Sequence, residues 1–239
     1  MDESNIKQGH KEPHAHPTFL SDFILGSQDG IVNVLGIVLG VAAATSDIRI
    51  LFVAALAALS AESISMGAVA YTSTMSRRRL YLKEVEQEKR EMKEIPDVER
   101  EEVNVVLGEW GYRGKRLKQL TDMICSNPKA WLEFMMAFEL KLSPVDKSAP
   151  LRSFTTVLFA TIIGSAIPLI PFIFLQNNIL AGAEGAVILS GITLFLIGYY
   201  EAKTTIGSIW HNGLQMVVIG LLAGFAGYLI GHFIGATPI

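Results

Sequence analysis

Five apolar blocks, at about residues 19–44, 50–74, 154–176, 183–200 and 214–234, set the terms for this chain. About 20 apolar residues are enough for a helix to cross the hydrocarbon of a bilayer. Inside lipid, such segments must satisfy every backbone N–H and C=O internally, so they are read as helices. The chain is half hydrophobic and only 18% charged, with a mean hydropathy of +0.38. An all-α membrane protein with five transmembrane helices is the fold these blocks predict. The fourth block is the shortest and has the least distinct edges.

Between the second and third blocks the chain changes character. Residues 76–152 are polar, and they hold 16 of the 20 Lys and Arg residues. The loop after the first block has only Arg49, and the loop after the third has none. The positive-inside rule places this middle stretch in the cytoplasm, as a helical domain inserted between helices two and three. Lys7, Lys11 and Lys203 fall on the same side. The reading along the chain is therefore a polar tail over 1–18, two spans over 19–75, the inserted domain over 76–152 and three spans over 153–239. The N-terminus is cytoplasmic and the C-terminus lies across the membrane. Basic residues are interleaved with acids, which argues against a nucleic-acid surface. The single Cys125 leaves no internal disulfide. The first 18 residues have no signal-peptide core.

Two acids sit where lipid should be. Asp29 lies in the first block and Glu62 in the second. A carboxylate in a span costs roughly 2.5–3.5 kcal/mol on insertion scales, and such residues usually mark an ion path. Asn33 is one helical turn from Asp29, and Met66 is one turn from Glu62, so each pair shares a face. Asp29, Asn33, Glu62 and Met66 are the candidate transport pathway. Carboxylate with thioether suits borderline divalent ions better than Mg²⁺ or Ca²⁺. The plain alternative is a polar pair that bonds a neighbouring helix. Small residues at Gly26/Gly30 and Gly36/Gly40, and throughout 54–68, predict close helix–helix seams.

In the middle stretch, Arg77-Arg78-Arg79 anchors the second span at the interface, and a polar helix is expected over 80–94. Pro96 breaks it. Further helices are expected over 97–109, 115–125 and 129–142, the last started by Asn127 as N-cap with Pro128 at the first position. Glu88 and Glu91 lie seven and four residues before Ile95, and Glu99 and Glu102 lie four and seven after it. A fold at the proline brings the two i, i+3 pairs face to face. Four facing carboxylates repel unless cations neutralise them. That is how a metal cluster is built, but solvated helices also carry many glutamates, and spacing alone does not choose. Met135 and Glu139 repeat the thioether–carboxylate pairing. No histidine lies between His16 and His211, which disfavours a di-iron site of the Glu-x-x-His type.

Pro168 and Pro171 should interrupt the third span. The sequence Tyr199-Tyr200-Glu201-Ala202-Lys203 reads as an interfacial end to the fourth. His211 and His232 are assigned to interface or packing, and His10, His14 and His16 to a polar tail with weak metal-binding capacity.

Several of these segments resemble one family. Ser27-Gln28-Asp29-Gly30-Ile31-Val32, Ile64-Ser65-Met66-Gly67 and Ile167-Pro168-Leu169-Ile170-Pro171 are similar to motifs of the vacuolar iron transporters. Pro128-Lys129-Ala130-Trp131-Leu132-Glu133-Phe134-Met135-Met136-Ala137-Phe138-Glu139-Leu140 is the longest and most specific match. The resemblance runs in order from Leu20 through nearly the whole chain. It implies a homodimer that moves Fe²⁺ out of the cytosol in exchange for protons, with no enzyme activity and no organic cofactor. It also implies Asp29 and Met66 as pathway residues, and Glu88, Glu91, Glu99, Glu102, Met135 and Glu139 as metal ligands. Family members often carry a glutamate two turns before the methionine. Ala58 stands there in this chain, and Glu62 is the candidate substitute.

The alternatives are a carrier of Mn²⁺, or of divalent ions broadly (Co²⁺, Ni²⁺ and Zn²⁺ among them), and a membrane-bound metal buffer or sensor that transports nothing. The membrane would be the plasma membrane in a prokaryote and the vacuolar membrane in a eukaryote.

Overall fold

The computed structural model describes residues 17–205 and 207–235, with side chains from residue 19 onward. The tail histidines His10, His14 and His16 lie outside the described residues. Two compact units emerge, one made of 1–71 and 151–239 and the other of 72–150. Every regular element among the described residues is helical. Five helical segments are long and apolar enough to cross a membrane. The protein is an all-α, multi-pass membrane protein.

The first unit holds α1 (Pro17–Ala44), the start of α2 (Ile48–Glu94), α6 (Ala149–Ala166), α7 (Ile170–Phe174), α8 (Ile179–Thr204) and α9 (Ile209–Gly235). Glycine decides how closely α1 and its neighbours approach. A methyl group on Gly40 would lie 2.9 Å from the Gly227 carbonyl oxygen, and one on Gly231 would overlap the Gly40 oxygen. Gly36 meets Gly227, Gly40 meets Gly231 and Ala44 meets Gly235, so α1 and α9 run parallel along a seam of small residues. The first half of α1 meets α6 in the same way, Gly26 against Val157 and Gly30 against Thr161 and Ser165. α8 and α9 are antiparallel, with Gly198 at Asn212 and Gly220 at Leu194. Spans one, three and five thus share a direction, as alternate crossings must.

This seam is testable. Gly231→Ala should cost about 3 kcal/mol or more by forcing a methyl into backbone, and should sharply lower the yield of monodisperse protein on size-exclusion chromatography in detergent. Gly191, with nothing within 4 Å of its added methyl, should tolerate alanine unchanged.

The prolines of the third span act as expected. α6 gives way to a single 3₁₀ turn, Ile167–Leu169, before the short α7. Neither proline can donate a backbone N–H, so the α-helical ladder cannot run through them. The break turns Leu169 and Phe172 into a core with Val34, Leu35, Val38, Leu51, Ala55 and Ala186. Phe172 is fully buried and rests on Gly182. α8 begins earlier than its hydropathy indicates, because Asn178 accepts a bond from Ala181 N at 3.1 Å and caps it.

The second unit contains the polar end of α2, then α3 (Pro96–Glu109), α4 (Gly114–Cys125) and α5 (Pro128–Phe134). Asn127 caps α5, accepting from Lys129 N at 3.0 Å and Ala130 N at 3.3 Å. Val103, Val106, Leu107, Cys125, Trp131, Phe134 and Met135 form the core of the unit. Arg100 pairs with Asp122, and Thr121 Oγ1 donates to Asn104 Oδ1 at 2.5 Å, tying α3 to α4. Two expectations are corrected. No separate helix begins at Leu80: α2 is one helix from Ile48 to Glu94, since nothing between Gly67 and Pro96 breaks it. The helix expected over 129–142 is α5 followed by a π-helical turn, Met135–Glu139, closed by Leu140 N to Met135 O at 3.0 Å.

Candidate functional site

In the first unit the acids of α1 and α2 meet. Asn33 Nδ2 donates to Glu62 Oε1, and lies 3.4 Å from Asp29 Oδ1. Asn33 thus ties two carboxyls on facing spans into one set, and carboxyls so gathered can exchange protons for a cation. Glu62 is half-buried, and its Oε2 has no partner among the described residues. Met66 is half-buried one turn further along α2.

Sequence reasoning passed over Asp22. Its Oδ2 accepts from the buried Ser153 Oγ at 2.6 Å, linking α1 to α6. The partners are 131 residues apart, so no local pattern signals the bond. His232 stacks on Tyr228, with ring centroids 5.9 Å apart.

In the second unit the mirror spacing about Ile95 produces a cluster. Glu88 and Glu99 are almost fully buried, and each carboxyl lies close enough to affect the other's protonation. Burial and then the neighbouring Glu99, Glu139 and Glu91 push the Glu88 carboxyl up to about 8. Burial, followed by Glu102 and Glu91, raises Glu99 above the ordinary carboxylate range. Glu139 is raised by burial and by Glu102, Glu91 and Glu84. Glu91 also accepts from Gln87 Nε2 at 3.1 Å.

One buried oxygen each of Glu88, Glu99 and Glu139 has no partner among the described residues. No Lys or Arg forms an ion pair with these three there either. A buried acid without a cation must stay protonated or find one. The five glutamates share one region, yet among the described residues no three are closed around a single point. Met135 is fully buried in the apolar core beside Val103 and Trp131, and Met136 is nearly so. The π-helical turn spaces Met135 and Glu139 differently from the α-helical i, i+4 pair that the sequence implies. Such turns are frequent at functional sites.

Five spans, with acids joined through Asn33 in the first two, describe a membrane transport protein. The sequence profile of the VIT family matches residues 20–232, and the chain belongs to that family. The tulip (Tulipa gesneriana) protein named vacuolar iron transporter 1 is 31% identical over 229 residues, covering 94% of this chain and 91% of that one. The rice (Oryza sativa subsp. japonica) protein of the same name is 30% identical over 226 residues, 92% of this chain and 88% of its own. Rice vacuolar iron transporter 2 is 32% identical over 207 residues, 87% and 84% of the two chains.

Proposed function

We infer that the protein carries Fe²⁺ out of the cytosol across its membrane in exchange for protons. The observation that carries this reading is the hydrogen-bonded set of Asp29, Asn33 and Glu62 on facing spans. Family membership and the names of the relatives supply the ion. In this reading Glu88, Glu91, Glu99, Glu102 and Glu139 form a cytoplasmic capture site over 76–152, with Met135 as a soft donor. Metal binding there displaces the protons that burial keeps on the acids. The ion then passes to Asp29, Glu62 and Met66, whose carboxyls release a proton on binding it and regain one when it leaves. The exposed Asn33 face of α1 is the surface on which a second copy would complete the path, making the working unit a homodimer. The relatives' names favour a vacuolar membrane, and the charge distribution favours a cytoplasmic N-terminus.

Proteoliposomes carrying the full chain should accumulate Fe²⁺ against its gradient when the lumen is acid, and lose the drive when a protonophore collapses the pH difference. Flux indifferent to that difference overturns the exchange. Faster uptake of Mn²⁺, Co²⁺, Ni²⁺ or Zn²⁺ at equal concentration overturns iron as the cargo, and binding without any flux would make the protein a buffer.

A further inference from the structure

A cleft of about 400 Å³ opens between α1, α8 and α9, on a different face of α1 from Asp29 and Asn33. Its walls are Leu35, Leu39, Val187, Leu221 and Phe225. Gly224 keeps it open: a methyl there would stand 3.0 Å from Leu39 Cδ1 and 3.4 Å from Leu35. The volume falls in the range of small-ligand sites, roughly 300–1,000 Å³. Every lining residue lies in a span, so lipid is the ligand class that its apolar walls can meet.

Apolar walls cannot select a ligand here, because lipid tails are as apolar as leucine. Selectivity has to come from the polar groups, Glu184 and Tyr228. Glu184 is exposed and sits five residues into α8. That is about 7.5 Å from the helix start, at the depth where hydrocarbon gives way to headgroups. Tyr228 is 45% exposed and its ring is braced by His232. Tyrosines at this depth place their hydroxyl among headgroups. Among the described residues no Lys or Arg lines the cleft, which disfavours an anionic head.

We propose that this cleft holds one chain of a phospholipid with a primary ammonium head, a phosphatidylethanolamine, in the leaflet that contains the α1–α2 turn. The ammonium donates to Glu184, and Tyr228 offers its hydroxyl to the phosphate. A choline head has the same charge but no N–H to donate.

Native mass spectrometry of the full chain, released from detergent with palmitoyl-oleoyl phosphatidylethanolamine, phosphatidylcholine and phosphatidylglycerol in equal amounts, tests this. The unchanged protein should retain ethanolamine lipid about tenfold over choline lipid, the worth of one charge-assisted hydrogen bond. E184Q should bring the ratio close to one. G224L, which fills the cleft, should remove the tightly held lipid altogether. Because Glu184 is exposed, E184Q keeps the proposal falsifiable if G224L fails to fold. Equal retention of the two zwitterionic lipids by the unchanged protein overturns the proposal. So does a preference for phosphatidylglycerol, or an ethanolamine preference that survives in E184Q.

Discussion

Glu62→Gln should lower pH-driven Fe²⁺ uptake by about 100-fold, the factor expected when a carboxylate with several kcal/mol of ion contact is neutralised in a low-dielectric site. Glutamine has the same shape and still offers an acceptor to Asn33 Nδ2. The α1–α2 bond is preserved, so the variant should express and melt like the parent. Asp29→Asn should behave alike, because Asn33 holds the two carboxyls in one set and neutralising either removes half the charge a divalent ion would meet. Asn33→Ala is the informative contrast. It removes the bridge and leaves both acids, so flux should fall by less, roughly tenfold. Initial rates of uptake into proteoliposomes, at matched protein content, would check all three. If Glu62→Gln transports normally, Glu62 is only a hydrogen-bond acceptor and the exchange site must lie elsewhere.

The spans were legible because a bilayer imposes a length, and 20-residue apolar runs have few other homes. The broken third span was equally plain, since Pro168 and Pro171 cannot complete an α-helical ladder. The single helix from Ile48 to Glu94 was not legible. Hydropathy falls abruptly at Arg77, but arginine, leucine and lysine form helix as readily as the alanines before them. Polarity there marks a change of surroundings and not a change of element. At the candidate sites, spacing along one helix was readable and contact between helices was not. The i, i+4 pairs Asp29/Asn33 and Glu62/Met66 could be written from periodicity. That Asn33 reaches Glu62 depends on how α1 packs on α2. The symmetric glutamates about Ile95 were an intermediate case, because a proline turn converts sequence distance into spatial mirror position. The π-helical turn at Met135–Glu139 left no trace in composition.

Without metal, the protein should lose stability in the 72–150 unit as pH rises from about 4.5 to about 8. The sign follows from the direction of the shifts. Glu88, Glu99 and Glu139 all titrate above the ordinary carboxylate value in the folded chain, Glu88 at about 8. An acid with a raised folded value stabilises the fold while protonated. That contribution is complete below the unfolded value and is lost as pH climbs through the folded one. A divalent ion should reverse the loss, because it replaces the protons and binds the folded unit alone. Added Mn²⁺, an air-stable stand-in for Fe²⁺, should therefore raise the melting temperature strongly at pH 8, by roughly 5 °C or more, and hardly at all at pH 5. Two of the three tryptophans, Trp110 and Trp131, lie in this unit and the third, Trp210, in the other, so tryptophan fluorescence of a full-length Trp210→Phe chain in detergent follows it. Glu88→Gln should flatten the pH dependence and weaken the metal response together, since one carboxyl supplies both. A metal response equal at pH 5 and pH 8 would mean that ion and proton do not compete for these acids, and the glutamates would then be a buried repulsion with no cargo.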